Sequence, residues 1–259
     1  MKLLFFGDVV GEAGTEVFAR KAPALRREYG ADLIIVNGEN SAKGNGITRE
    51  SANALFSAGA DLITTGNHCF RRRCDSLFAD PRILRPANYP EGAPGTGIAT
   101  VDCGRFSLTV INLMGTAFME PLDNPFTVID RLLETVSTPN ILVDFHAEAT
   151  GEKRAMGWYL AGRVSSVIGT HTHVQTADEE ILRGHTGYLT DAGMTGPAES
   201  VLGVRIEDAV AKQRFHTPVH FTEATGSCII NGAALEIDSI SGKCTKIDRV
   251  FIKDITKSR

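Results

Sequence analysis

Long apolar runs are missing from this 259-residue chain. No stretch approaches the roughly 20 residues that a membrane-spanning helix needs, so a bilayer-spanning α-helix is excluded. Met1–Phe6 is largely apolar, but Asp8 interrupts it before a secretory leader's core of about 7–15 residues could form. Cysteine is sparse. Cys69, Cys74, Cys103, Cys228 and Cys244 make an odd count with no C-x-x-C pair. That pattern predicts reduced thiols and a cytoplasmic protein, not a disulfide framework. Positive charge is not in excess either: 27 Lys and Arg stand against 31 Asp and Glu, a net charge of −4. No global field draws nucleic acid, which is admitted only as a substrate. The local run Arg71-Arg72-Arg73 reads as a solvated patch. Internal repeats, low-complexity tracts and obvious linkers are also absent, so residues 1–259 are expected to form one domain.

What the chain does have is a series of short apolar runs. Lys2–Gly7, Leu33–Asn37, Leu62–Thr65, Ile141–Phe145 and Val164–Ile168 read as strands, and continuous runs such as Leu33-Ile34-Ile35-Val36 suit strands buried on both faces. Phe18, Ala22, Leu25 and Tyr29 share one helical face, as do Phe126, Ile129, Leu133 and Val136. The second helix opens on Asn124-Pro125, an N-cap followed by proline at the first helical position. A shorter helix is expected from near Thr48 to near Gly59. The order strand, helix, strand, helix, strand predicts right-handed crossovers and a parallel sheet. Ile98–Asp102 and Ser107–Leu113 flank Cys103-Gly104-Arg105-Phe106 and predict a hairpin. Gly226–Ile237 and Thr245–Ile252 read as antiparallel strands. Asp80–Gly97, rich in proline and glycine, reads as a long surface connection. The simplest architecture is α/β with two packed sheets and helices outside.

Polar clusters sit at the ends of five of these runs, where an open α/β fold places its chemistry. Asp8 alone fits a metal ligand, a base or a helix N-cap. Glu39-Asn40 offers a carboxylate able to bridge two cations and a neutral amide oxygen, in a segment that also fits a turn. Asn67 is a hard neutral donor. The adjacent His68 projects differently and can act on a phosphate or a leaving group. His146 is flanked by Asp144 and Glu148, which can orient its ring. His171 and His173, one residue apart on an irregular loop, can each serve a different metal. Taken singly, most of these residues also fit structural roles. Taken together, mixed oxygen and nitrogen donors suit iron, manganese or zinc better than magnesium or calcium. Two such ions about 3.5–4 Å apart are a clamp for displacement at phosphorus. His185, His216 and His220 follow no strand run in the same way and read as structural or substrate-proximal, the structural reading being favoured.

Gly7-Asp8, Asn37-Gly38-Glu39-Asn40, Gly66-Asn67-His68, Asp144-Phe145-His146 and Gly169-Thr170-His171-Thr172-His173 resemble the motifs of the calcineurin-like metallophosphoesterases. With Asp191-Ala192-Gly193-Met194-Thr195-Gly196, they resemble most closely the YmdB-like bacterial phosphodiesterases. Asp8-Val9-Val10 lacks the wider superfamily's histidine, and Gly38-Glu39-Asn40 replaces its Gly-Asp-x-x-Asp. Cys69 stands where an acidic residue is usual. The YmdB-like subgroup shares the first two changes. The resemblance implies a four-layer α/β/β/α sandwich. It implies one metal on Asp8, Glu39, Asn40 and His173, and a second on Glu39, Asn67, His146 and His171, with Glu39 bridging. It implies iron or manganese, a hydroxide shared by the two cations, and His68 acting on the phosphate or the leaving oxygen. The expected substrates are cyclic nucleotides (2′,3′- or 3′,5′-) or other small phosphodiesters. A phosphomonoesterase and a non-catalytic nucleotide-binding regulator are the alternatives, and homo-oligomerisation is left open. A two-metal amidohydrolase is disfavoured, since its H-x-H pair belongs on the first strand of a barrel whose eight strand–helix units are missing.

Overall fold

The computed structural model describes residues 1–72 and 75–254; Arg73 and Cys74 lie outside the described residues. The chain opens with β1 (Lys2–Phe6), β2 (Asp8–Val9), α1 (Gly11–Tyr29), β3 (Leu33–Asn37), α2 (Arg49–Ser57) and β4 (Leu62–Thr64). A 3-10 turn at Asp75–Ala79 precedes β5 (Ile98–Asp102), β6 (Ser107–Met114), α3 (Pro125–Leu133), β7 (Ile141–His146), α4 (Thr150–Leu160) and β8 (Ser166–Thr170). Then follow β9 (Glu180–Leu182), β10 (Thr186–Leu189), β11 (Met194–Pro197), α5 (Ile206–Phe215), β12 (Cys228–Ile237) and β13 (Cys244–Asp254).

Local chemistry accounts for the helix ends. Thr48 and Ser51 form a capping box at α2, satisfying two otherwise orphaned N–H groups. The Asn124 side chain accepts from the N–H groups of Phe126 and Thr127 at the start of α3. The αL residue Gly30 closes α1.

Two sheets result. One runs β2-β11-β12-β1-β3-β4, with β13 paired to β12; the other runs β5-β6-β7-β8-β10-β9. β1, β3 and β4 are parallel, as are β6, β7, β8 and β10. β5–β6 and β12–β13 are antiparallel. Period-two alternation then explains the continuous apolar runs. Leu3, Phe5, Leu33 and Ile35 pack between the sheets with Leu108, Val110, Leu142 and Ile168. Leu4, Phe6, Ile34 and Val36 pack against Val17, Phe18 and Leu25 of α1 and Leu55 of α2. On the far side Ile111, Val143 and Phe145 pack against Ile129 of α3 and Met156 of α4. Three apolar layers separate four structural ones, the α/β/β/α sandwich that was expected. No helix among the described residues is long and apolar enough to cross a membrane.

Several features differ from expectation. Helices α4 and α5 and the short strands β2, β9, β10 and β11 lie where the sequence pattern predicts no element. The last inner strand begins at Ser166 and includes Gly169 and Thr170, so His171 follows it directly. The Asp80–Gly97 segment is a surface connection only in part: Pro81, Arg82, Pro90, Glu91 and Gly92 are exposed, but its middle is buried. Ile83 and Leu84 are fully buried and bridge to Ile63 and Thr96. Asn88, also fully buried, spends its amide on the carbonyls of Met114 and Asp123 and on the N–H of Met114. Proline and glycine marked the absence of regular structure correctly, but burial was decided by side-chain hydrogen bonds to the backbone.

Candidate active site

The carboxyl ends of β1, β3, β4, β7 and β8 meet at one edge of the sandwich and bring Asp8, Glu39, Asn40, Asn67, His68, His146, His171 and His173 together. Just inside that edge the apolar inter-sheet layer becomes polar. Asp144, fully buried on β7, accepts from Asn37 Nδ2 at 3.1 Å, Thr64 Oγ1 at 2.5 Å and Thr170 Oγ1 at 2.7 Å. These bonds tie the two sheets together beneath the site. Burial raises the Asp144 carboxyl to about 6.

The same network sets the His146 ring. Thr170 gives its hydroxyl proton to Asp144, so its oxygen accepts from His146 Nδ1 at 2.9 Å. The lone pair of His146 Nε2 is left facing Asn67 Oδ1 at 2.9 Å, His171 Nδ1 at 3.1 Å and Glu39 Oε2 at 3.4 Å. The His171 Nε2 atom lies 3.0 Å from Glu148. That contact holds the proton on Nε2 and turns Nδ1 inward. Glu148 therefore orients His171, not His146 as its sequence position had implied; Asp144 acts on His146 through Thr170. With His146 neutral, four acceptor atoms surround a point with no donor among them; without a cation there, a second proton on His146 Nε2 takes that place. The side-chain atoms of Glu39, His146 and His171 able to ligate a metal ion all lie within 4.8 Å of one another.

A second group of acceptors adjoins the first. His173 donates Nδ1–H to the Leu202 carbonyl at 3.0 Å, which aims Nε2 at Asp8 Oδ1, 3.8 Å away. Asp8 is fully buried, and Oδ1 has no hydrogen-bond partner. A buried carboxylate oxygen without a donor costs several kcal/mol unless a cation meets it. The donor set, its locked tautomers and this orphaned oxygen fit a pair of transition-metal ions. Asn40 is the one ligand that must adjust. Its Oδ1 accepts from His68 Nδ1 at 2.8 Å, while Nδ2 faces Glu39 Oε1 at 2.9 Å and His173 Nε2 at 3.4 Å. Ligation through its oxygen requires a half-turn of the amide.

Charge follows the geometry. Burial raises the Asp8 carboxyl above its usual range. Burial acts the same way on Glu39, but His146 and His68 outweigh it and hold that carboxyl well below the usual range. Burial lowers the His146 pKa, but the Glu39 carboxylate overcomes it and lifts the ring to about 9. His171 falls to about 3, through burial and then the charge on His146. A site that holds a proton on a fully buried imidazole stabilises a cation in the same place.

Backbone conformation is spent on this arrangement. Gly66 lies against the cluster, and a Cβ there would come within 2.2 Å of His146 Nε2 and 2.5 Å of Glu39 Oε2. His171 and His173 have φ of 103° and 64°, left-handed values that cost non-glycine residues on the order of 1–3 kcal/mol each. Asp191 holds the loop between them. It accepts from Thr172 N at 3.1 Å, Thr172 Oγ1 at 2.8 Å and Gly193 N at 2.8 Å, and pairs with Lys153 Nζ at 2.6 Å. Both side chains of that ion pair are only 1% exposed. In the sequence Asp191 belongs to a motif that gives it no role of its own, and Lys153 belongs to none of the motifs. The signal was present: Lys153, Met156, Gly157 and Leu160 fall on one buried face of α4, so a lysine occupies an apolar stripe.

Cys69 is buried, and burial pushes its thiol up to about 12, which removes it as a nucleophile. Cys103, Cys228 and Cys244 form no disulfide. Arg72 donates Nε–H to the Asn45 carbonyl at 2.8 Å, so this arginine braces the loop after β3 and is not simply solvated. The cleft over the cluster has a volume of about 280 Å³ and is lined by Asn40, His68, Glu148, His171, His173 and Glu223 among others. A larger hollow of about 550 Å³ beside α1 holds none of the clustered residues.

Known proteins resemble the whole chain. The family model described as YmdB-like protein matches residues 4–250. A Bacillus subtilis (strain 168) protein named 2′,3′-cyclic-nucleotide 2′-phosphodiesterase is 46% identical over 258 residues, covering 98% of both chains. A Thermus thermophilus protein of known crystal structure superposes with a TM-score of 0.93 at 40% identity, covering 98% of this chain and 100% of that one. A Mycoplasma pneumoniae crystal structure described as a novel phosphatase superposes at 0.94 with 32% identity, covering 98% and 94%. By sequence along its full length and by fold, this chain belongs to the YmdB-like family.

Proposed function

We propose that the chain hydrolyses phosphodiesters, with nucleoside 2′,3′-cyclic phosphates as its substrate class, using two transition-metal ions held at the β-strand ends. The observation that carries this reading is the knot of facing lone pairs on Glu39, Asn67, His146 and His171, adjoining the orphaned oxygen of Asp8. One ion would sit on Asp8, Glu39, Asn40 and His173, the other on Glu39, Asn67, His146 and His171. Iron or manganese match these donors, and zinc is also compatible. When bound, such ions supply Lewis-acid charge for the phosphoryl oxygens and lower the pKa of water. The 46% identity to the Bacillus subtilis protein supports the substrate class.

The protein's own residues supply the rest. His68 has its backbone N–H on Glu39 Oε2 at 3.0 Å and its Nδ1 on Asn40 Oδ1 at 2.8 Å. When Asn40 turns its oxygen away to ligate, its Nδ2–H comes to face His68 Nδ1, which keeps the ring in place and leaves its proton on Nε2 for a ligand in the cleft. From there it donates to a phosphoryl oxygen and passes a proton to the departing ribose oxygen. Glu148, Thr170 and the Leu202 carbonyl hold the three ligating imidazoles in one tautomer each.

The test is a substrate panel on metal-analysed protein: a 2′,3′-cyclic nucleotide, a 3′,5′-cyclic nucleotide and p-nitrophenyl phosphate. The 2′,3′-cyclic ester is expected to be turned over fastest. His68→Ala is expected to keep its metal while turnover falls by about 10²-fold. Preference for p-nitrophenyl phosphate would replace the diester by a monoester. Tight nucleotide binding without turnover would replace the enzyme by a binding protein.

A further inference from the structure

The lining of the cleft is electrically one-sided. Glu39, Glu148 and Glu223 contribute carboxylates, and none of the described lining residues is a lysine or arginine. Apart from the cations a metal cluster brings, the described lining offers an incoming anion no side chain able to carry positive charge except the histidine rings. Lysine and arginine are common wherever a protein binds phosphate, and this rim has neither among its described lining residues.

Glu223 is the informative residue. It belongs to the segment between β11 and β12, which also brings Leu202, Gly203 and Val204 to the rim. Its position is set from two sides. Oε1 accepts the Gly44 N–H at 2.5 Å. Its Oε2 occupies space beside Gly11, where a Cβ would come within 2.4 Å. Gly11 sits at φ 63° and admits this approach. The carboxylate is thus held by the backbone N–H of Gly44 in the loop after β3 and packs against Gly11 at the start of α1.

We infer that Glu223 is a specificity-determining residue that makes the cleft favour the monoanionic phosphodiester over the dianionic phosphomonoester, including the enzyme's own product. This rests on the phosphodiesterase reading above. The chemistry gives it a purpose. A water oxygen bonds to phosphorus, the bond from phosphorus to the departing ribose oxygen breaks, and that oxygen takes a proton. The resulting monoester has a second pKa near 6, so near pH 8 it releases one further proton to solvent and carries two charges where the substrate carried one. A fixed carboxylate at the exit opposes the second charge more than the first, and so discourages product retention and monoester entry.

A unit charge about 6 Å from a carboxylate in bulk-water dielectric loses roughly threefold in binding. Glu223→Gln keeps an acceptor for Gly44 and removes only the charge. At pH 8 and low salt, kcat/KM is expected to rise roughly threefold for a 2′,3′-cyclic nucleotide and roughly tenfold for p-nitrophenyl phosphate. The monoester-to-diester ratio therefore rises about threefold, and inhibition by a nucleoside 3′-monophosphate tightens by the larger factor. The gap in this ratio between Glu223→Gln and the wild-type protein is expected to narrow with added salt as the rim charge is screened. Equal changes for both esters, or a gap that added salt leaves unchanged, would overturn the inference. Wild-type protein with no diester turnover would instead overturn the phosphodiesterase reading.

Discussion

Lys153→Met isolates the buried ion pair that supports the histidine loop. In the native protein Lys153 Nζ lies 2.6 Å from Asp191 Oδ2, with both side chains 1% exposed. The substitution keeps an unbranched stem of similar length along the apolar face of α4 and removes the ammonium. Asp191 retains its three donors from Thr172 and Gly193 but loses the cation beside it. Breaking a buried pair by removing one partner costs about 3–5 kcal/mol, because the remaining charge is stranded. For a domain of this length each kcal/mol lowers Tm by about 2–4 °C, so a fall on the order of 10 °C is expected by calorimetry. Adding Asp191→Asn removes the stranded charge. The double variant should recover about 2 kcal/mol or more relative to Lys153→Met, a coupling beyond the error of additivity. Metal analysis supplies the functional readout. With Thr172 less firmly held, His171 and His173 relax from their left-handed conformations, and metal affinity should drop by about 10- to 100-fold. A Lys153→Met loss below about 1 kcal/mol, or simple additivity with Asp191→Asn, would refute the claim that this pair anchors the loop.

Two further predictions concern the cluster itself. Glu39→Ala removes the shared carboxylate and is expected to strip both metals as read by elemental analysis; full retention of either would end the bridging assignment. Gly66→Ala drives a methyl group into His146 and Glu39, so metal content should fall while far-UV circular dichroism stays native. Wild-type metal stoichiometry in that variant would mean the backbone yields there without disturbing the ligands.

Much of the fold was written in local patterns. The strands Leu33–Asn37 and Ile98–Asp102 lie where their apolar runs predict. The Asn124 cap and the Thr48 start are equally local, because a cap is satisfied within three or four residues. α5 was not legible: Ile206, Val210 and Phe215 are exposed, so its apolar residues mark no buried stripe. α4 was obscured because its buried stripe contains Lys153 and Gly157, a charge and a gap where a periodicity reading expects apolar bulk.

For the site, sequence alone determined which donor types are present and that each follows a strand, since strand ends and polar punctuation are properties of neighbouring residues. Only the tertiary structure decided that these donors face one another, that Glu148 serves His171, that Thr170 relays Asp144 to His146, and that Lys153 and Glu223 belong to the same locality at all. Those relations join residues far apart in the chain, 163 positions for Asp8 and His171 and 179 for Gly44 and Glu223. They are fixed by strand order and register, which no local window of sequence encodes.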